Sequence, residues 1–374
     1  MTNAASSSGS VPTVAMPSLA STPPPRVTWS DPAQSWLGLS LLNGLLRVLT
    51  LGVYHFWGKT EVRQRIWHAV RVDGEPLEYR GTGGELFRGF LVVFFLILLP
   101  LSILGLVIPL MLRGHPLAHG GYNTAAWVFL LMLSGIGMHR ARRYRLSRTA
   151  FRGIRGGLAG ASTPFAWTYF WTLALVPVTF GWIYPYRALV LHRALVQASR
   201  FGDAPFTFTG KPGALYRRFW VVWLGAVTLI LLSMAAIGSL GVVTRDLGAT
   251  RPTADRIAAI VGILLLAYFV FGLVYAWYAA GRLNYFASRT HIGGASFKLR
   301  ATVPSLLWLT ASNFLLRFLS LGFLSPIAEA RSMRYIVERL AIEGPVPWAH
   351  IGQNPDALLR RGEGLAEALN VDAF

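Results

Sequence analysis

Four stretches of this chain, roughly residues 89–112, 122–138, 219–243 and 257–280, are strongly apolar and contain no acid or base. Spanning a hydrocarbon core of about 30 Å takes about 20 such residues in a helix, so each stretch is predicted to cross a membrane. Composition agrees: 53% of the 374 residues are hydrophobic and mean hydropathy is +0.47. Three further apolar segments, near 36–57, 164–184 and 303–324, are less regular. Two carry an arginine, and the third is broken by Pro177, Gly181 and Pro185.

Charge bears on the path through the membrane. Lys and Arg number 35 against 16 Asp and Glu, a net charge of +19, and the basic residues lie between the apolar runs. There they meet anionic headgroups and set orientation; nothing pairs them with stacking aromatics as a nucleic-acid module would. If the three irregular segments enter and return on one side, only loops 113–121 and 244–256 face outward, and 31 of the 35 basic residues stay inside or at the inner interface. Seven full spans would instead place two arginine-rich loops, 185–218 and 281–302, outside. Four spans plus three embedded hairpins is the preferred reading, with both tails cytoplasmic, although an inverted repeat could produce opposite placement.

Internal comparison supports a repeated construction. Tyr144, Ser147, Arg148, Thr149 and Gly153 recur 141 residues later as Tyr285, Ser288, Arg289, Thr290 and Gly294. Pro76, Tyr79, Gly81, Leu86 and Arg88 correspond, at a shift of 129, to Pro205, Phe208, Gly210, Leu215 and Arg217. Arg47 stands five residues before Gly52, and Arg317 five before Gly322, in the phrases LLRVLTLG and LLRFLSLG. The order is A-B-A-B-A, with A units near 36–88, 163–218 and 303–344 and B units near 122–160 and 257–302. Short alternating segments (Leu77/Tyr79, Phe206/Phe208, Phe297/Leu299) suggest small β-hairpin clips in the inner loops, and Asp73-Gly74 suits such a turn.

The expected fold is therefore an all-α polytopic membrane protein of repeated helical units, with four clear spans, three kinked, re-entrant or additional spanning segments, and small clips. Its membrane domain covers 36–345, between a disordered Ser/Ala/Pro-rich tail at 1–35 and a polar tail at 346–374.

Few residues invite chemistry. Arg47 and Arg317 are candidates for a symmetry-related pair binding an anion or lipid phosphate, because an arginine deep in a membrane helix costs about 3 kcal/mol and calls for a partner. The plainer reading, that both snorkel to the interface from a hairpin turn, outweighs it. The cluster from Tyr54 to Lys59, including Trp57, reads as interface anchoring, as do Trp182, Tyr184, Tyr186 and Arg187, and Trp277 and Tyr278 followed by Arg282. The run His139–Arg148 could meet anionic lipid, and topogenic charge explains it more simply. His115 and His119 have helical metal-ligand spacing, but Pro116 and Gly120-Gly121 argue against a regular helix, and no third ligand is nearby. Gly81-Thr82-Gly83-Gly84 lacks the Lys-Ser/Thr of a phosphate loop. Asp73, Glu75, Glu78 and Glu85 cluster where Arg71, Arg80 and Arg88 can satisfy them. There is no cysteine, and no apolar segment holds an Asp, Glu, His or Lys well inside it. The chain is thus expected to be neither an enzyme nor a cofactor or metal protein. Two functions remain: a carrier or binder of a small anionic or amphiphilic molecule, or a non-catalytic scaffold holding anionic lipid or a protein partner on a basic inner face.

The phrase LTLGVYHFWGKTEVRQRIWHAVRVDGEPLEYRGTGGELFRGF, residues 49–90, resembles the signature of the YjgN-like family, a bacterial inner-membrane domain of unknown function. Gly202, Pro205, Phe206, Phe208 and Gly210, the Tyr144 and Tyr285 phrases, and the C-terminal GEGLAEALNVDAF resemble it too, so the likeness extends over about 35–374. The second A unit departs from it with Tyr186 where Trp57 stands in the first, and the third has no obvious clip after Gly344. The resemblance implies a bacterial inner-membrane location and a polytopic helical fold; the basic charge adds membrane lipid, anionic by that argument, as the expected partner. The resemblance implies no activity and no site residues.

Overall fold

Hydrophobic runs separated by short turn-rich segments produce helices that leave and rejoin short β-strands. The computed structural model describes residues 24–31, 35–245, 254–346 and 348–354. In chain order these form β1 (Val27–Trp29), α1 (Trp36–Leu49), α2 (His55–Ala69), β2 (Val70–Val72), β3 (Glu75–Pro76) and β4 (Glu78–Tyr79). There follow α3 (Gly83–Val93), a π-helical turn (Phe94–Leu98), α4 (Leu99–Met111), α5 (Pro116–Arg148), β5 (Thr149–Phe151) and β6 (Ile154–Leu158). Next come α6 (Ser162–Val178), α7 (Tyr184–Ala198), β7 (Ser199–Phe201), β8 (Ala204–Phe208), α8 (Gly213–Arg245) and α9 (Ala254–Ser288). The last elements are β9 (Thr290–Ile292), β10 (Ala295–Leu299), α10 (Val303–Leu319), α11 (Ser325–Arg339) and β11 (Leu340–Glu343).

Strands β4 to β11 make one antiparallel sheet of eight strands in strict chain order, and β1, β2 and β3 make a second of three. This corrects the expectation of an all-α fold with isolated clips. A clip of two to five residues per strand would expose unpaired backbone on both edges; joining the clips edge to edge satisfies it. Two tail assignments also change. Val27–Trp29, expected in the disordered tail, pairs with Val70–Val72. Residues 346 and 348–354, expected in the polar tail, strap the sheet: Val346 and Ile351 bury against Ile292 and Ala295, and Trp348 meets Phe151 and Phe201. The Asp203 carboxylate accepts from Gly352 N–H at 2.9 Å, and Gln353 bonds both Arg155 N–H and Gly153 C=O. The strap occupies the place where the third A unit lacked a clip. Residues 1–23 and the C-terminal phrase 362–374 lie outside the described residues.

Between strands the chain makes five helical hairpins: α1/α2, α3–α4/α5, α6/α7, α8/α9 and α10/α11. Each is closed at its base by a corresponding backbone bond. Ser30 donates to Ala69 (2.8 Å), Arg80 to Arg148 (2.8 Å), Ala159 to Ala198 (2.8 Å), Thr209 to Arg289 (3.0 Å) and Arg300 to Arg339 (3.1 Å). Neighbouring hairpins pack α2 on α3, α5 on α6, α7 on α8 and α9 on α10, and α11 returns to α1. Arg334 of α11 pairs with Asp31 beside β1 at 3.2 Å, so the first and last hairpins are neighbours.

Two hairpins are long. Gly83–Met111, Pro116–Arg148, Gly213–Ser239 and Ala254–Ser288 are long and apolar enough to cross a membrane, matching the four expected spans. At 1.5 Å per residue α5 and α9 extend about 50 Å, more than a bilayer core, and each runs directly into a strand, α5 through a last turn holding Arg145 and Arg148. The helix at His115–His119 was not expected. Pro116 occupies the first turn of α5, where its missing N–H costs no hydrogen bond, and the helix continues through Gly120-Gly121. Among the described residues no cluster could hold a metal ion.

Three hairpins are short. Their apolar legs α1, α6 and α10 have 14, 17 and 17 residues, about 21–26 Å. Each stops at a left-handed pair: Leu51-Gly52, Phe180-Gly181 and Leu321-Gly322, with φ of 49–51° at the first residue and 80–92° at the glycine. The glycine N–H closes the last turn on Arg47, Val176 or Arg317 C=O at 2.7–2.8 Å, the Schellman arrangement. These apolar tips are among the most exposed large residues: Leu51 95%, Phe180 82% and Leu321 89%.

Candidate functional site: a cationic groove at the base of the second long hairpin

The start of α8, the end of α9 and strand β10 enclose a groove of about 630 Å³. Its charged lining is Arg217, Arg218, Arg282 and Lys298, with no Asp or Glu; Trp277, Tyr278 and Tyr285 supply aromatic wall and Ala214 and Gly281 open space. That volume falls in the range of small-ligand sites.

Local sequence explains each placement. Gly281 has no side chain, which lets the Arg218 guanidinium cross the face of α9; a Cβ there would collide with it. Arg218 then sits 5.3 Å from the Trp277 ring centroid, and Arg282 sits 5.8 Å from that of Tyr278. Asn284 accepts from Ala301 N–H and donates to its C=O, both at 2.9 Å, fixing α9 to the entry of α10. The Tyr285 hydroxyl accepts from Lys211 N–H at 2.7 Å and donates to its C=O at 3.0 Å. Lys298 reaches Glu343 at 3.1 Å in an exposed pair, worth little in solvent.

The positive field continues inward. Arg282 lies beside the Tyr184 hydroxyl of α7. Arg187 covers the Tyr169 ring at 4.6 Å. His192 stacks on Phe286 with ring centroids 4.2 Å apart, and burial, then Arg142 and Arg282, push its pKa down to about 4. The Nε atoms of Arg142 and Arg187 and Nε2 of His192 are buried without a hydrogen-bond partner. Among the described residues neither Arg142, Arg187 nor Arg282 has a carboxylate partner. Buried positive charge without a counterion raises the local concentration of anions.

The first long hairpin is built differently at the corresponding place. Glu85 Oε1 accepts from Arg148 at 2.9 Å and Oε2 accepts from the Tyr144 hydroxyl at 2.6 Å. The acidic cluster expected to be met by Arg71, Arg80 and Arg88 is thus shared differently. Arg80 takes Glu78 at 2.6 Å, whereas Glu75 pairs with Arg152 at 2.8 Å and Glu85 with Arg148. Pairing of β4 with β5 brings those distant arginines across.

The structure places the other singled-out residues as follows. Arg47 and Arg317 hold the same position in α1 and α10, and both are exposed. Arg47 lines a smaller cavity of about 180 Å³ between the first and last hairpins, with Asn43, Tyr54, His55, Lys59 and Gly322; Arg317 is not in its lining. Trp57 packs on Phe87 and against Gly83. Gly74, Gly153 and Gly202 take left-handed turn positions, and in the β9–β10 turn this falls to Gly293 rather than Gly294. Gly81 and Gly210 are held bare by the rings of Tyr79 and Phe208. Thr149 and Thr290 each bond the carbonyl four residues back, and Ser147 and Ser288 that of Tyr144 and Tyr285. Arg148 and Arg289 lie over the same tyrosines, at 5.3 and 5.7 Å. The groove itself is not visible in the sequence, where Trp277, Tyr278 and Arg282 read as interface anchors and the other basic residues as topogenic charge. The available signal was the loss of an acid between copies, Glu85 against Ala214.

Comparison with known proteins gives the chain relatives. It is 27% identical over 138 residues to the inner membrane protein YjgN of Salmonella typhimurium strain LT2, covering 37% of this chain and 32% of that protein. It is 24% identical over 157 residues to the inner membrane protein YjgN of Escherichia coli O157:H7, covering 41% and 36%. The matches thus span about a third of the length of these curated relatives. No solved structure matches. The family described as bacterial protein of unknown function (DUF898) matches residues 24–368. With its helical hairpins and strands lying almost wholly inside that match, the chain belongs to this family.

Proposed function

We propose that this chain is an inner-membrane protein that binds, and carries, a small anionic or amphiphilic molecule at the cationic groove between α8, α9 and β10, without catalysing a reaction. The observation carrying this reading is a groove with four cationic side chains and no acidic one, at the sheet end of two helices long enough to span. Cationic groups beside Trp and Tyr suit a headgroup at the membrane interface, and the apolar flank of α8 and α9 suits its chain. In this arrangement the four long helices cross the bilayer. The short hairpins enter from the sheet side and return to it, and the basic sheet lies in the cytoplasm. Three features support that path: every hairpin begins and ends beside a strand, the short legs are under 30 Å, and their tips are bare apolar residues. The recurring base bond supports an origin by duplication.

The test is binding of dihexanoyl phosphatidic acid against dihexanoyl phosphatidylcholine to the purified full chain, in neutral detergent. The expected result is a preference for the anionic lipid that weakens with salt and falls at least tenfold in the double variant Arg218→Gln, Arg282→Gln. Equal affinity for both lipids, unchanged in the variant, would overturn the reading. Movement of a fluorescent phosphatidic acid across reconstituted vesicles separates a carrier from a scaffold, which binds without flux.

A further inference from the structure

The two long hairpins share their base geometry residue by residue. Arg80 donates to Arg148 as Thr209 donates to Arg289, and Gln64 donates to Gly81 C=O as Arg193 does to Gly210 C=O. Ser147 and Ser288 bond their tyrosine carbonyls alike, and Arg148 and Arg289 cover the same tyrosines. In this frame Glu85 corresponds to Ala214, and Ala214 lines the groove. Three groove cations have small counterparts in the first hairpin: Arg218 answers to Gly89, Arg282 to Ala141 and Lys298 to Gly157. One hairpin carries its own carboxylate, held by Tyr144 and Arg148; the other has lost the carboxylate and gained three cations around the vacated volume. Without an acid to bond, Tyr285 turns its hydroxyl to the Lys211 backbone.

We propose that the acidic group of the ligand sits over Ala214, in the volume that the Glu85 side chain fills in the first hairpin. This rests on the groove being the binding site, and it names the ligand's recognised part: one compact anionic group, a carboxylate or phosphate, presented between Arg218, Arg282 and Lys298 of the lining and within reach of Arg289, which lies just outside that lining and stands where Arg148 holds Glu85. A phosphate can come from a lipid headgroup or from a free anion, and the probes below separate the two.

The experiment uses the purified full chain with dihexanoyl phosphatidic acid and, separately, inorganic phosphate. Tighter binding of the lipid marks a headgroup site, and equal binding a site for the free anion. Ala214→Glu supplies the missing carboxylate in place and is expected to weaken either probe at least tenfold. Ala214→Gln adds the same bulk without charge and is expected to weaken it severalfold less. Arg289→Gln, at an exposed position that tolerates replacement, is expected to weaken binding at least threefold, and it decides the matter should the glutamate variant fail to fold. Equal losses from Glu and Gln, or no loss from Glu or from Arg289→Gln, would overturn this placement while leaving the groove assignment standing. Failure of the wild-type chain to bind either probe would overturn the groove assignment itself.

Discussion

The short and long hairpins leave their strands through corresponding backbone bonds, yet end differently. In α1, α6 and α10 the apolar run stops after 14–17 residues at a left-handed Leu-Gly or Phe-Gly pair. In α5, α8 and α9 the helix continues for 33–35 residues. Mean apolarity does not distinguish the two classes; a turn signal does. A residue other than glycine in the left-handed region costs about 1–2 kcal/mol. Three apolar residues bear that cost at solvent-bare tips, which is reasonable where the tip faces lipid and a Schellman closure satisfies the carbonyls.

This contrast can be broken outright by side-specific labelling, which the absence of native cysteine permits. A cysteine replacing Arg113, at the tip of the first long hairpin, is expected to react from outside intact cells. One replacing Arg200, on β7, is expected to react only after permeabilisation. Reaction of both from the same side would remove the distinction between spanning and returning hairpins.

A smaller effect tests where a short hairpin meets a long one. His192 of α7 stacks on Phe286 of α9, and its pKa in the folded chain is pushed down to about 4. The unfolded chain therefore binds the extra proton across the window from about 6.5 to about 4. Stability is fully present above that window and falls as pH drops through it, by on the order of 2–3 kcal/mol. His192→Phe is expected to flatten this part of the melting-temperature profile relative to wild type. An unchanged slope would place the imidazole in a wetter setting than the packing indicates.

The smallest effect compares glycines of the two classes. Gly181 has φ +80°, so Gly181→Ala is expected to cost about 1 kcal/mol. Gly272 lies inside α9 with no atom within 4 Å of an added Cβ, so Gly272→Ala is expected to be neutral or to stabilise by up to about 1 kcal/mol. Thermal melting in detergent reads both, and equal losses would mean that the short tips do not depend on their turn conformation.

Much of this was legible beforehand. Charge-free runs located the four long helices, because length and apolarity are local properties. Gly52, Gly181 and Gly322 marked the breaks, because a left-handed Schellman closure favours glycine at that point. The phrase around Asp73-Gly74 marked a turn, and both residues adopt positive φ. The sheet was legible only as fragments. Phe206 and Phe208 announce a strand, but nothing local says that it pairs with β9, whose Ile292 lies 86 residues away. The candidate site was less legible still: Arg218, Arg282 and Lys298 look like ordinary boundary charges until three elements bring them around Ala214.

By itself, then, the sequence determined the helical membrane class, the positions of the four long apolar helices and the glycine breaks of the shorter ones, since these follow from local hydropathy and turn chemistry. Only the tertiary structure decided that the clips fuse into one sheet, that residues 348–354 strap it, and that Glu85 is satisfied by Arg148. It also decided that the place of that carboxylate stands open over Ala214. These outcomes depend on backbone edges and charges finding partners tens to hundreds of residues away, and such pairings are set by the closure of the whole chain.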